Sequence, residues 1–303
     1  MLILVTGGLG AVGSHLVAEL RGRGHDVWIN DLRHHHDPKY LRGDVGEYRQ
    51  LERVVTHKKF ELVYHLAAEF GRWNGEDFYE TMWQSNVIGT KNLIRLQEKL
   101  GFRQIFFSSS EVYGDYEGVM SEDVMDKHEI KQMNDYAISK WVSEMQILNS
   151  ATMHGTESVR VRLFNTYGPG ETYSSYRSVI CQFTYAALNN LPYKVYDGHT
   201  RTSTYITDMV VTLSNIAERF KPGEVYNVAG TSYHDIRTVS DLILKAAGKT
   251  DKLVTYSDGE PFTTKHKKVD ASKAVRDLGH APKVGLEEGI ANTVKWMRAF
   301  YGV

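Results

Sequence analysis

Tyr136 and Lys140 stand four residues apart in Tyr136-Ala137-Ile138-Ser139-Lys140, a spacing that puts both side chains on one face of a helix. A tyrosine phenol, with an ordinary pKa of about 10, is a poor base at neutral pH. A lysine cation a few ångströms away favours the phenolate and lowers that value. Such a pair can take a proton from a hydroxyl group while a hydride leaves the carbon. Upstream, Ser108-Ser109-Ser110-Glu111-Val112-Tyr113-Gly114 follows the apolar run Ile105-Phe106-Phe107. Serine hydroxyls at a strand end can bridge a substrate oxygen to the tyrosine, and a carboxyl group there is placed for proton transfer. Ser109, Ser110, Glu111, Tyr136 and Lys140 are therefore the candidate catalytic residues.

Gly7, Gly10 and Gly13 lie between the apolar run Leu2-Ile3-Leu4-Val5 and a segment with helical spacing at Leu16, Val17 and Leu20. In a strand–turn–helix unit the first glycine permits the tight turn. The second admits a pyrophosphate to the backbone, and the third lets helix pack on strand. The helix start, with Ala11 and Val12, offers free N–H groups and partial positive charge to a dianion. Asp31 ends the second strand, where an acid accepts hydrogen bonds from an adenosine ribose and repels the 2′-phosphate of NADP; Arg33 follows two residues on. Asp44 and Val45, after the third strand position, are placed to reach the adenine. NAD is the expected cofactor, with Lys140 also holding the nicotinamide ribose.

The elements that must position these residues alternate. Val27–Asp31, Leu62–Leu66, Ile105–Ser108, Val159–Phe164 and Val225–Val228 read as buried strands, with helices near 46–58, 81–99 and 135–150. Alternation of this kind predicts a parallel α/β sheet with right-handed crossovers. The expected fold is α/β, a Rossmann-type doubly wound parallel sheet with a smaller α/β substrate lobe. Residues 1–165 and 202–230 are assigned to the NAD-binding domain, and 166–201 and 231–303 to the lobe. Residues 165–178, rich in Gly, Tyr, Ser and Thr, predict a long loop. The last seventy residues predict short helices and loops, with a capping box at Thr238…Asp241 and an amphipathic helix over Leu286–Phe300.

Composition excludes several classes. Across 303 residues, 36 Lys+Arg balance 37 Asp+Glu, giving a net charge of −1, without the clustered basic footprint of a nucleic-acid binder. A lone cysteine, Cys181, fits a reducing compartment. No apolar run approaches a membrane span, and Thr6-Gly7-Gly8 stops the first apolar run before a secretory signal forms, so a cytoplasmic location is expected. His34-His35-His36 reads as a solvated loop, since adjacent histidines cannot converge on one ion; no metal is expected.

Taken together, these residues resemble the NAD-dependent nucleotide-sugar epimerase/dehydratase group of the extended short-chain dehydrogenase/reductase superfamily. The marks are Thr6-Gly7-Gly8-x-Gly10-x-x-Gly13, His65-Leu66-Ala67-Ala68, the serine run, Tyr136-x-x-x-Lys140, Phe164-Asn165-x-Tyr167-Gly168-Pro169, Tyr226-Asn227-Val228 and Val284–Gly289. The resemblance implies a tightly held NAD, reduced and reoxidised within one cycle and touched by Leu66, Ala67 and Ala68. It matches Ser109, Tyr136 and Lys140 to the catalytic set, Asn165 to a residue near the nucleotide-sugar phosphates and Arg201 to an arginine on the diphosphate. Glu69 and Arg72 fall near the sugar. A homodimer is implied, pairing the 81–99 helix and the Tyr136 helix with their copies. The family's second phosphate-binding arginine is missing from 260–268, where the lysines at 265–268 are the candidate replacements. Ser110-Glu111 is similar to GDP-mannose-type dehydratases, some UDP-N-acetylglucosamine dehydratases and UDP-glucuronate decarboxylases, while simple 4-epimerases usually lack the glutamate. The ranking that follows is a 4,6-dehydratase, then a 4-epimerase, then a glucuronate-type decarboxylase. A non-catalytic NAD sensor is the rival from another class, but it has no need of the Ser-Tyr-Lys set.

Overall fold

The computed structural model describes residues 1–303. Strands β1 (Leu2–Thr6), β2 (Asp26–Asp31), β3 (Tyr40–Arg42), β4 (Leu62–His65), β5 (Arg103–Ser109) and β6 (Ser158–Leu163) join Val225–Val228 in one sheet. The spatial order is Val225–Val228, β6, β5, β4, β1, β2, β3, and every neighbouring pair is parallel. Both faces are covered. The pleat sends Ile3 and Val5 to one face, where they meet Leu16, Val17 and Leu20 of helix α1 (Ala11–Gly22) and Met209 and Leu213 of the helix Ile206–Glu218. Leu4 goes to the other face with Val63, Leu93 and Phe102. Strand order reverses between β1 and β4, so the crevice beyond their carboxyl ends is where a doubly wound sheet takes its ligand.

A second core gathers the helices Val179–Leu188, Ile236–Ala247 and Leu286–Tyr301 around Val195, with Ile180, Phe183, Val239, Ile243, Ile290 and Val294 buried together. Beside it Tyr193–Asp197 pairs in parallel with Val254–Asp258. Two expectations change here. The region after 231 holds a long helix, Ile236–Ala247, besides the expected terminal one. The former starts at Ile236, capped by the Asp235 carboxylate on the Arg237 N–H, so Thr238…Asp241 lies inside it and is no capping box. The helix Ser272–Leu278, in the stretch assigned to the lobe, buries Ala274 and Leu278 in the sheet's core.

An ionic knot joins the helix Asp135–His154 to the sheet. Glu144 is fully buried, and its carboxylate accepts from Ser108 Oγ at 2.5 Å, from Arg162 Nε and Nη2 at 3.0 and 2.9 Å, and from Arg160 Nη1 at 3.2 Å. Arg162 Nη1 donates onward to Tyr113 Oη at 2.9 Å, which donates to Asn227 Oδ1 at 2.8 Å. Removing one member of a buried ion pair strands the other charge at a cost of about 3–5 kcal/mol. Glu144→Ala should lose stability of that order in urea unfolding; a loss under about 1 kcal/mol would mean that solvent reaches the two guanidinium groups after all.

Candidate active site

The serine run begins inside β5 and turns out of it. Ser109, the last residue of β5, caps a single 3-10 turn over Ser110–Tyr113, its Oγ accepting from the Glu111 N–H at 3.2 Å. The Tyr136 helix is capped by Asn134, whose Oδ1 accepts from the Ala137 N–H at 2.7 Å. These two ends meet on one side of a cleft of about 680 Å³ that runs from the glycine turn to the small lobe. Gly7, Ala11, Val12, Leu66 and Ala68 line its sheet end. Ser109, Ser110, Glu111, Tyr136 and Lys140 line its middle, and Arg72, Asn165 and Arg201 line it too. Tyr193, Lys194 and Tyr196 line the lobe end.

The sheet end fits a dinucleotide. Gly7 has φ +68°, and a Cβ there would lie 2.7 Å from the Ala67 nitrogen; one on Gly13 would lie 2.2 Å from the Gly7 carbonyl oxygen. The small pair Ala67-Ala68 and the glycines thus pack as closely as backbone allows. No side chain caps α1 and no acid sits in its first turn, which leaves its N–H groups to an anion. Asp31 has a structural duty besides the expected ribose contact. Its Oδ2 accepts from the Leu9 N–H at 3.1 Å, holding the turn, and its Oδ1 accepts from Arg33 N and Nε, both at 3.2 Å. Gly10 closes the turn by donating to the Gly7 carbonyl at 3.0 Å.

Three of the expected ligand residues do not line this cleft. Asp44 is off the cleft wall, its Oδ1 accepting from the Gly46 N–H at 2.8 Å, and Val45 is buried with Leu51 and Leu93 in the sheet's second core. The Glu69 carboxylate takes the Asn74 amide at 3.0 Å while its backbone bonds both ways to Asn86. Asn165 and Arg72, by contrast, each keep a buried nitrogen, Nδ2 and Nη1, with no partner.

The electrostatics of the central pair differ from the expectation. Lys140 donates to the Phe107 carbonyl at 2.9 Å and lies 5.9 Å from the centre of the Tyr136 ring. Burial pushes the Tyr136 phenol up to about 12, which the Ser109 hydroxyl offsets in part and the Glu111 charge reinforces. Burial also draws Lys140 down to about 7, against the pull of Glu144. Desolvation is the largest influence on both groups and disfavours both charged forms.

Sequence reading missed how the far wall is built. Of the lysines at 265–268 only Lys267 turns inward; it is buried and its Nζ forms an ion pair with Glu111. Burial raises the Glu111 carboxyl, but Lys267, Arg72 and Arg201 more than reverse this and hold it at about 2. Glu260 takes Arg72 Nη2 at 2.6 Å and lies 3.6 Å from Arg201 Nη2. Arg177, on the loop between Tyr167 and Val179, covers the Phe70 ring at 3.9 Å and lines the same cleft. Lys267 carried a signal, the lysine run beside an absent arginine. Glu260 and Arg177 belong to no motif, and only the fold brings them in.

Comparison with known proteins agrees with this geometry. UDP-N-acetyl-alpha-D-glucosaminuronate decarboxylase of Bacillus cytotoxicus is 32% identical over 97% of this chain and 97% of its own. The UDP-glucose 4-epimerase of Thermus thermophilus, solved with NAD, superposes with a TM-score of 0.88 at 25% identity, over 98% of this chain and 99% of that one. MoeE5, solved with UDP-glucuronic acid and NAD, gives 0.86 at 28% identity, over 98% and 99%. The model of the NAD dependent epimerase/dehydratase family matches residues 3–229. With the glycine turn, the Tyr136–Lys140 helix and that match in agreement, this chain belongs to the NAD-dependent epimerase/dehydratase family, enzymes that work through a bound NAD.

Proposed function

We propose that the protein oxidises C4 of a nucleoside-diphosphate uronic acid and decarboxylates it. The observation that carries this reading is the charge at the reacting end of the cleft. Arg72, Arg201 and Lys267 gather around Glu111 and Glu260, three cations against two carboxylates. Burial, then repulsion from Arg72, pulls the Arg201 guanidinium below its ordinary value, while Glu111 and Glu260 raise that of Arg72 against its burial. An uncompensated buried charge is costly, and a carboxylate on the substrate supplies the missing anion. The relative that acts on a uronic acid supports the same choice.

In this reading Tyr136 takes the O4 proton, with Ser109 bonded to the same oxygen and Asn165 near the diphosphate. Bound NAD supplies the hydride acceptor and donor, and a ring cation that opposes the burial penalty on the Tyr136 phenolate. With C4 a ketone, the C6 carboxylate is β to it. The C5–C6 bond breaks, carbon dioxide leaves, and the bonding electrons pass onto O4 as an enolate. A proton from water reaches C5, and Tyr136 returns its proton to O4 as the ketone is reduced. No proton need pass through Glu111, which stays ionised against Lys267.

A second reading, dehydration, rests on that same ion pair. Burial draws Lys267 down to about 8 despite Glu111. Glu111 as base at C5 and Lys267 as acid at the C6 hydroxyl would together expel water, the order of preference that the sequence suggests.

Product masses from UDP-glucuronic acid, UDP-N-acetylglucosaminuronic acid, UDP-glucose and UDP-N-acetylglucosamine separate the chemistries. Loss of carbon dioxide from the uronic acids is expected. Loss of water from the neutral sugars would establish dehydration instead, and unchanged mass with a new isomer would establish epimerisation. Tyr136→Phe should keep its NAD and turn over at least about 10²-fold more slowly, the usual contribution of a general acid–base group; near-normal turnover would remove Tyr136 from the mechanism. The reading includes a homodimer, since Met145, Leu148 and Met153 on the Tyr136 helix and Ile88 and Leu100 on its neighbour are exposed. Light scattering should therefore give about twice the 34.5 kDa chain mass, and a monomer mass counts against pairing.

A further inference from the structure

Three cations crowd the reacting end of the cleft, and they differ in what they have left to give. Lys267 is engaged with Glu111. Arg201 donates Nη1 to the carbonyls of Thr200 and Lys265 at 2.9 and 2.8 Å, and its Nη2 lies between His199, Thr263 and Glu260 at 3.4, 3.4 and 3.6 Å. Arg72 donates Nη2 to Glu260 at 2.6 Å, while its Nη1 is buried and without a partner. A buried guanidinium nitrogen with no acceptor is a cost that a bound anion removes.

The chain holds Arg72 rigidly. It opens the short helix Arg72–Asp77 directly after Gly71, which has φ +96°, and a Cβ on Gly71 would lie 2.7 Å from the Tyr176 carbonyl oxygen. On either side of it, Arg177 covers Phe70, and the Trp73 and Phe262 rings meet edge to face at 5.2 Å. Tyr176 Oη donates to Asp77 at 2.9 Å. These contacts hold the backbone on either side of Arg72 and Glu260 holds its Nη2, and preorganisation of this kind favours affinity. Glu111 and Arg72 lie near enough that each charge favours ionisation of the other, which sets Arg72 at the sugar end of the cleft, beside the Ser109–Tyr136 wall.

We propose that Arg72 is the residue that selects an acidic sugar, its free Nη1 donating to the C6 carboxylate of the substrate while Nη2 stays on Glu260. The proposal rests on the uronic-acid reading above and adds to it the residue that distinguishes a uronic acid from a neutral hexose. With the carboxylate bound, the three cations face three anions. The diphosphate is the competing anion for the same nitrogen, and binding measurements tell the two apart.

The experiment is calorimetric titration of the NAD-loaded protein, wild type, Arg72→Met and Arg72→Lys, with UDP, UDP-glucose and UDP-glucuronic acid. Wild type is expected to bind UDP-glucuronic acid more tightly than UDP-glucose. Arg72→Met should weaken UDP-glucuronic acid about 10–100-fold, the range for a lost charge-assisted hydrogen bond, and shift UDP and UDP-glucose less than about threefold. Arg72→Lys keeps a cation for Glu260 and lacks the second nitrogen, so it should keep UDP-glucose affinity and lose most of the preference, even if the methionine variant folds poorly. Equal weakening of UDP and UDP-glucuronic acid would assign Arg72 to the diphosphate and overturn the proposal. A wild type that prefers the uronic acid and variants that keep that preference would overturn Arg72 alone. A wild type that binds both sugars alike would overturn the uronic-acid reading and the role of Arg72 together.

Discussion

A single buried carboxylate, Glu144, fixes the geometry on which the rest of the site depends. It lies at the interface of the Tyr136 helix with β5 and β6 and meets four donors there. A buried charge is tolerated only when its hydrogen bonds are complete, so a shift of the helix along the sheet breaks several at once. That constraint reaches the reacting groups by short covalent steps. Ser108, which donates to Glu144, precedes Ser109. Lys140 is one helical turn before Glu144. Through Arg162, Tyr113 and Asn227 the knot extends to the Met120 and Asp270 carbonyls, and the Met120 N–H donates to the carbonyl of Lys268, next to Lys267. The serine strand end, the tyrosine helix and the lysine that holds Glu111 are thus referred to one buried anchor.

The cleft follows from where the strands end. β1, β4, β5 and β6 all deliver their carboxyl ends to the same edge, and each delivers a different function there. β1 supplies the glycine turn, β4 the small residues packed against it, β5 the serines and β6 Asn165. The small lobe supplies the opposite wall, including Arg201 from Thr200–Thr202 and Glu260 from the loop after Val254–Asp258. The cleft therefore lies between two cores, and the contacts between them at its rim, such as Tyr176 with Asp77, are exposed and individually weak.

What the sequence made legible was local. The glycine turn, the Tyr136–Lys140 spacing and the strand–helix alternation are written in contiguous residues, so pattern alone found the parallel sheet and the middle of the cleft. The lobe was harder because its strands Tyr193–Asp197 and Val254–Asp258 pair across some sixty residues and neither has a strong period. Asp44 and Glu69 each bond to a neighbour along the chain, Gly46 and Asn74, a detail that no spacing rule carries. Glu260 and Arg177 lie in irregular segments, and no spacing rule connects them to Arg72 and Phe70.

The motif also conceals its own energetics. Spacing says that Tyr136 and Lys140 share a helix face; it does not say that burial opposes both charged forms. The phenol at about 12 and the amine at about 7 are each displaced toward neutrality, so proximity alone does not make a phenolate. The proton that stays on Lys140 is favoured by Glu144, one turn along the same helix. The buried carboxylate that positions the helix is then also the charge that favours the cationic form of Lys140. Burial is what holds Lys140 close to neutral pH and not at its ordinary value, and Glu144 offsets it only in part.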